Sequence, residues 1–440
     1  MPFLDTDREL SRLSYYAATA PRQQAWAPLE PGTHRCDVAV VGGGFAGLSA
    51  AIELRQRGFD VVLLEAQQVG WGASGRNGGQ AIYGLACDIT TIEDQLGQED
   101  AKRMFAMTVE ALDLLRARIQ RHAIDCDWRD GFVCAATSAR KARALRDDVE
   151  LLGSRYDHPL TWIDRAEMPG WIASPRYAAG AFDPRSGHLH PLKYALGLAR
   201  AAVALGVRVH EGSAVNALHR AGDGVTLATA SGATLEARHA LLAGNVYLDA
   251  FAPALAPRLS SRIMPVGTYI VCSEPLEAAR AASLIPSGAA VCDNNFVLDY
   301  FRTTADHCLL YGGRVSYSTA TPVNLAASMT RRMVATFPQL RGVKARYAWG
   351  GFVDISMNRA PDFGRLPAFD GRVYYLQGFS GHGVALTGLA GTLVAEAIAG
   401  DASRFDVFAR LKHQPFPGGR ALRTPALVLG MAYYRLRDML

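Results

Sequence analysis

Two strand–glycine–helix elements at opposite ends of the chain, with longer two-period strands between them, predict a mixed α/β and α+β protein. The expected architecture is a Rossmann-like nucleotide-binding domain assembled from separated segments, with an antiparallel-sheet domain inserted into it. The segments read 1–100, 181–260 and 345–440 for the nucleotide domain, and 101–180 and 261–344 for the inserted substrate domain.

The first element is the most informative. Asp37–Glu65 reads DVAVVGGGFAGLSAAIELRQRGFDVVLLE, an apolar run, a glycine cluster, a helical pattern and a second apolar run ending in an acid. Gly42-x-Gly44-x-x-Gly47 opens the helix, and Glu65 lies 18 residues past Gly47. Gly42 permits the tight strand-to-helix turn, Gly44 lets a pyrophosphate approach the backbone, and Gly47 lets the helix pack on the strand. The helix N-terminus offers unpaired N–H groups and partial positive charge, while Glu65 can accept from ribose hydroxyls. A glycine triplet alone is only a turn; with both strands, the closing Gly58 and the acid present, dinucleotide binding is the stronger reading.

The remaining elements follow in order. Residues 1–35 are polar and proline-containing, and read as an arm across the surface. Residues 91–124 carry helical spacing, and Cys126–Ala136 and Leu160–Ile163 read as strands around a charged helix, Ser138–Leu152. Pro191–Gly206 is a helix, followed by strands at Val207–Glu211, Val225–Thr229 and Leu241–Ala243. Ser261–Ser273 and Leu298–Gly313 alternate as strands, Val323–Phe337 is helical, and Tyr347–Ser356 is a further strand. Tyr374–Gln377 runs into the turn Gly378-x-x-Gly381-x-Gly383 and a helix to Ile398. There is no internal repeat.

Composition narrows the function classes. At 49% hydrophobic and 20% charged residues, the chain is an ordinary globular one. The formal net charge of +5 is concentrated at the end, where residues 401–440 hold seven Arg and Lys against three Asp. No basic stripe interleaved with aromatics marks the body, so nucleic acid is not an expected partner. The seven cysteines are scattered and never spaced CxxC, which argues against a disulfide framework or a metal site. No run of 18 apolar residues and no secretory-type start is present, so a cytoplasmic enzyme is expected. The Leu422–Leu440 tail mixes apolar residues with Arg423, Arg435 and Arg437; packing on its own domain is favoured over docking on an anionic membrane.

Two features separate FAD from NAD. Gly70–Gln80, GWGASGRNGGQ, begins five residues after Glu65 and can wrap a pyrophosphate and reach a flavin with backbone donors. No second strand-borne GxGxxG fingerprint follows, so the flavin is reduced by an organic substrate rather than by a nicotinamide.

With these residues in place, the chain resembles the D-amino-acid-oxidase superfamily of FAD enzymes. The resemblance runs from about residue 10 to 440 and rests on VVGGGFAGLSAAIEL, GWGASGRNGGQ, SGHLHPLKYALGLA, PVGTYIV and GFSGHGVALTG. Within it, the Gly72–Gln80 loop and the tail are similar to the gamma-glutamylputrescine oxidoreductase group. Carried over by position, the family pattern puts the pyrophosphate at Gly42, Gly44, Phe45, Ala46 and Gly47, and the ribose at Glu65 and Ala66. It puts Ala73, Ser74, Asn77, Gly78 and Gly79 along the flavin, Val215 beside the adenine, and Gly244 at the turn after the LLAGN strand. Gly381, His382, Gly383 and Val384 begin the last helix, whose N-terminus would face the flavin N1–C2=O edge and stabilise the anionic reduced ring. His382 is equally readable as a packed, hydrogen-bonded histidine.

Two departures bear on substrate. Members that hold an α-carboxylate carry a lysine where this chain has Ala385, or an arginine where it has Val353. An unpaired carboxylate in an enclosed pocket costs several kcal/mol. The resemblance therefore implies an amine without an adjacent carboxylate, gamma-glutamylputrescine-like, oxidised by hydride transfer to flavin N5, the imine hydrolysing to aldehyde and ammonia. Residues 345–356 contain no cysteine, so a non-covalent flavin is expected. His382, Tyr269 and Trp349 are the candidate catalytic residues, and Gln80, Tyr300 and Arg302 the candidate substrate contacts, with Arg302 suited to a remote carboxylate. The reduced flavin would pass its electrons to oxygen or to a quinone or other carrier. Two alternatives stand: an amino-acid enzyme, pipecolate-like or D-specific, with the carboxylate on Arg302 or Arg76, and a membrane-docked flavin electron-transfer protein.

Overall fold

A parallel sheet carries the first strand–glycine–helix unit at its centre. In the computed structural model, which describes residues 2–253, 255–316 and 324–417, that sheet runs Asp362–Arg365, Val373–Gln377, Ala233–Leu242, Gly32–Val41, Val61–Leu64, Arg208–His210. All neighbours are parallel except the Asp362–Arg365 edge. The hairpin Val215–Ala221 and Gly224–Thr229 adds to the side of Ala233–Leu242. Val38–Val41 and Val61–Leu64 are wholly buried, as strands covered on both faces must be.

Helix Phe45–Gln56 packs against helix Gly383–Ile398, so the two glycine elements, over 300 residues apart, stand side by side. Helix Pro191–Ala204 lies on the first of them and Gln98–Arg121 on the second. Arg118, 1% exposed, ties the layer together by reaching Glu53 at 2.9 Å and Thr392 at 3.0 Å.

The second sheet is ordered Ala345–Ser356, Ile263–Ser273, Leu309–Ser316, Tyr300–Thr303, Ala290–Asp293, Arg129–Ala136, Ala179–His188, Gln80–Ala81, with Thr161–Ile163 beside Ala179–His188. It is antiparallel apart from one pair, Ala290–Asp293 with Arg129–Ala136. The expected α/β domain with an inserted antiparallel sheet is therefore the fold.

Sheet membership shifts two sequence-based segment limits, and helix packing a third. Ala345–Ser356 pairs along its length with Ile263–Ser273, so the second sheet extends past 344. Ala179–His188 also belongs to it, past 180. Helix Gln98–Arg121, placed in the substrate domain from residue 101, rests instead on the nucleotide domain's helices.

The N-terminal arm runs across the surface, with most of its residues exposed, but it is anchored into the body of the molecule at several points. Asp7, Tyr15, Tyr16 and Trp26 are buried, and the arm's polar groups find partners in the connections beside both sheets: Tyr15 with Asp306, Thr19 with His190, and the Leu29 N–H with Ser213. Among the described residues, no single helix is long and apolar enough to cross a membrane. The basic tail from Arg420 onward, with the Leu422–Leu440 segment, lies outside the described residues.

Candidate cofactor and active site

The turn at the end of the first strand is fixed by two close approaches. Gly42 has φ +114°, and a Cβ there would lie 2.6 Å from the Ala243 carbonyl oxygen. A Cβ on Gly47 would lie 2.0 Å from the Gly42 carbonyl oxygen, so the helix can seat on its strand only with glycine. The Phe45 N–H donates to Ser74 Oγ at 3.0 Å, and the Gly43 N–H to Glu65 Oε2 at 2.6 Å. Glu65 Oε1 also accepts the Gln67 N–H at 2.8 Å. Burial raises the Glu65 pKa against these two N–H bonds. Each carboxylate oxygen retains a lone pair for a ribose hydroxyl.

These residues open on a cavity with about 1210 Å³ of space not filled by protein, part of it open to solvent. Of the predicted cofactor residues, Gly42, Gly44, Phe45, Ala46, Glu65, Ala66, Ala73, Ser74, Asn77, Val215, Gly244, Gly381, Gly383 and Val384 line it. Gly47, Gly78, Gly79 and His382 do not. Gly47 sits beneath the turn, and Gly78 and Gly79 face Tyr300 and Arg302 across the second sheet. Sequence reasoning missed other wall residues, among them Trp71, Asn245, Tyr247, Phe251, Asp354 and Thr387. The Asn-Val-Tyr that follows LLAG at the strand end was the available signal for part of this wall.

The far wall is the N-terminus of helix Gly383–Ile398, which no side chain caps. Its turn is held by Asp354, 3% exposed, whose carboxylate accepts the Gly378 N–H and, at 3.1 Å, the Phe379 N–H. Burial pushes the Asp354 pKa up to about 6. His382 Nε2 lies 2.7 Å from the Tyr83 carbonyl oxygen, and burial lowers its pKa, so the ring is a neutral donor to that carbonyl. This is the hydrogen-bonded histidine of the alternative reading.

The other candidates separate into two groups. Tyr269 and Trp349 are 0% exposed; Trp349 Nε1 donates to the Arg76 carbonyl at 3.0 Å and its ring meets Tyr16 edge-on. Both are buried inside the sheet, and neither is among the residues that line the cavity. Gln80, Tyr300 and Arg302 do gather at the Gly70–Gln80 loop. Gln80 Nε2 donates to the Val291 carbonyl at 2.9 Å, and a Cβ on Gly78 would lie 2.6 Å from the Tyr300 ring. Arg302, 2% exposed, donates to the Gly78 carbonyl at 2.8 Å and to the Tyr16 hydroxyl at 3.2 Å. It is neither a surface ion pair nor open to a substrate carboxylate. Arg76 is likewise committed, bidentate to Asp7 at 2.7 and 3.0 Å.

The cavity fits an adenine dinucleotide: a glycine turn too tight for a Cβ, an acid at the end of the second strand, and two helix N-termini aimed at one space. Such a fold and site define a flavin-dependent oxidoreductase. The family model described as FAD dependent oxidoreductase matches residues 37–397, and the chain belongs to that family. It is 43% identical over 427 residues to gamma-glutamylputrescine oxidoreductase of Escherichia coli (strain K12), covering 97% of this chain and 98% of that protein. It is 40% identical over 430 residues to the probable oxidoreductase OrdL of Haemophilus influenzae, covering 97% of each. Glycine oxidase from Geobacillus kaustophilus superposes with a TM-score of 0.71 at 22% identity, covering 87% of this chain and 100% of that one, a likeness of fold.

Proposed function

We propose that this protein oxidises the C–N bond of a small amine of the gamma-glutamylputrescine type. FAD, held non-covalently, supplies the two-electron acceptor. The observation that carries the reading is that no cation among the described residues considered for an α-carboxylate stands free to hold one. Among the described residues lining the cofactor cavity there is no lysine or arginine, and its charged groups are the carboxylates Glu65 and Asp354. Val353 lines it at the position where carboxylate-binding relatives would carry arginine, and Ala385 is buried. Arg302 and Arg76, the other cations considered for an α-carboxylate, are spent on the Gly78 carbonyl and on Asp7. An α-amino acid would place its charge beside the oxidised carbon with none of these described cations to pair it. An amine whose carboxylate is remote avoids that cost.

In this reading, the substrate nitrogen enters neutral, since the apolar enclosure lowers an ammonium pKa. The substrate loses two electrons and two protons to form an imine, and water then converts the imine to aldehyde and ammonia. Tyr300 and Gln80 flank the loop on the substrate side, and His382 keeps the turn seated through Tyr83. No residue is assigned as general base. The similarity to gamma-glutamylputrescine oxidoreductase along 97% of the chain supports the same substrate class.

The test is anaerobic flavin bleaching across a panel of putrescine derivatives, monoamines and α-amino acids, followed by admission of air. Bleaching by gamma-glutamylputrescine and related amines, with α-amino acids inert, is the expected outcome. Bleaching by α-amino acids alone would overturn the reading. The rate of recolouring in air decides between oxygen and a carrier as acceptor.

A further inference from the structure

The family match begins at residue 37, yet the preceding residues are deeply built into the site. Helix Pro2–Ser11 carries Asp7, 0% exposed, and four donor atoms from three residues converge on its carboxylate. Arg76 Nη1 and Nη2 lie at 2.7 and 3.0 Å, Trp71 Nε1 at 2.8 Å and the Tyr247 hydroxyl at 2.8 Å. Trp71 and Tyr247 line the cofactor cavity, one from the Gly70–Gln80 loop and the other from helix Val246–Phe251. A Cβ on Gly72 would lie 2.8 Å from the Tyr247 ring, so the two walls are already in contact where Asp7 joins them.

The rest of the arm continues as a strap. Tyr16 meets Arg302 beneath Gly78, Arg22 donates to the Val69 carbonyl at 2.7 Å, and the Trp26 N–H reaches Glu211. Glu211 in turn accepts the Val69 N–H at 2.7 Å, immediately before the same loop.

We propose that the N-terminal strap is a cofactor-retaining element, with Asp7 as the positioning residue that closes the Gly70–Gln80 loop onto helix Val246–Phe251. The reason is energetic. A carboxylate fully withdrawn from water is tolerated only while its donors stay in place, and loss of one partner from such a pair is costly. FAD packed between the two walls holds those donors together, and Asp7 docking holds the walls around FAD. Coupling of this kind is reciprocal, so FAD binding must protect the helix as much as the helix favours FAD. The proposal needs only FAD binding and is independent of which amine is oxidised.

The experiment measures FAD dissociation by flavin fluorescence, with hydrogen exchange of residues 4–11 in apoprotein and holoprotein. For the wild type, exchange in that helix slows at least tenfold on adding FAD. Asp7→Asn is expected to weaken FAD binding at least tenfold and to abolish that protection, while Asp7→Glu restores part of both. Should Asp7→Asn not fold, Tyr247→Phe keeps the charge pair and the ring, and is expected to raise FAD dissociation a few-fold. FAD affinity within twofold of wild type in these variants, or equal exchange with and without FAD, would overturn the proposal and leave the helix a purely structural one.

Discussion

Glu65 concentrates two jobs in one side chain. It accepts backbone N–H groups from Gly43 and Gln67 and also lines the cavity. Each orphaned donor costs roughly 1–3 kcal/mol when its acceptor is deleted. Glu65→Ala is therefore expected to weaken FAD binding by well over tenfold, whereas Glu65→Gln, which keeps an acceptor oxygen, loses less. Titration of apoprotein with FAD measures both; equal affinities for the two variants would remove Glu65 from the ribose contact. Gly47→Ala fails differently. Its Cβ would lie 2.0 Å from the Gly42 carbonyl oxygen, backbone that cannot move without opening the turn. That variant is expected to purify colourless, as absorbance near the flavin band would report; a normally yellow protein would show that the turn can relax.

At the scale of elements, the last helix depends on its turn, and the turn depends on a strand of the other sheet. Asp354 reaches from Ala345–Ser356 to the Gly378 and Phe379 N–H groups and thereby sets where helix Gly383–Ile398 begins. Asp354→Ala leaves both donors buried and empty, a loss of roughly 2–6 kcal/mol, while Asp354→Asn retains an accepting oxygen. Thermal unfolding and FAD titration should rank wild type, then Asn, then Ala; Ala equal to wild type would refute the anchoring role. This contact also shows why the site was only partly legible. Gly42, Gly44, Glu65 and Gly383 were readable because each is local, a residue type required by the turn it sits in. Asp354 looked like any strand acid, and Asp7 like part of a polar arm, since their meaning lies in donors 24 and 64 to 240 residues away. Strand Ala179–His188 escaped notice for a different reason. Its Asp-Pro-Arg-Ser centre has poor strand propensity, and Pro184 and Arg185 lie exposed where the pairing with Arg129–Ala136 slips its register. The long helical pattern at 91–124 divides at Gly97, whose φ of +82° starts a second helix.

Across the whole molecule, buried titratable groups pull stability in opposite directions as pH falls. His188 and His190, behind the Gly70–Gln80 loop, have pKa values pushed down to about 3 by burial, with the Arg302 charge next in importance. An unfolded histidine takes a proton near pH 6.5. Below that value the unfolded chain binds protons that the folded histidines refuse, so their contribution is lost as pH falls from 6.5 toward 3. At pH 5 this amounts to on the order of 2 kcal/mol for each. Asp293 and Asp354, raised to about 6 mainly by burial, act with the other sign. They hold protons in the folded state, adding stability below the ordinary aspartate range that is lost as pH rises toward 6. The net wild-type curve therefore mixes cancelling terms, and the informative quantity is a difference between variants. His188 Nε2 lies 3.1 Å from the Gly288 carbonyl oxygen, a contact that a glutamine amide can also make without titrating. Whatever stability His188→Gln loses at pH 7.5, it should recover on the order of 2 kcal/mol relative to wild type at pH 5. For a chain of this size that is roughly 2 °C in Tm, within reach of scanning fluorimetry at matched ionic strength. A difference between the two proteins that stays constant from pH 7.5 to 5 would mean that His188 is free to take its proton in the folded state, and that the wall behind the loop is wetter than its packing indicates.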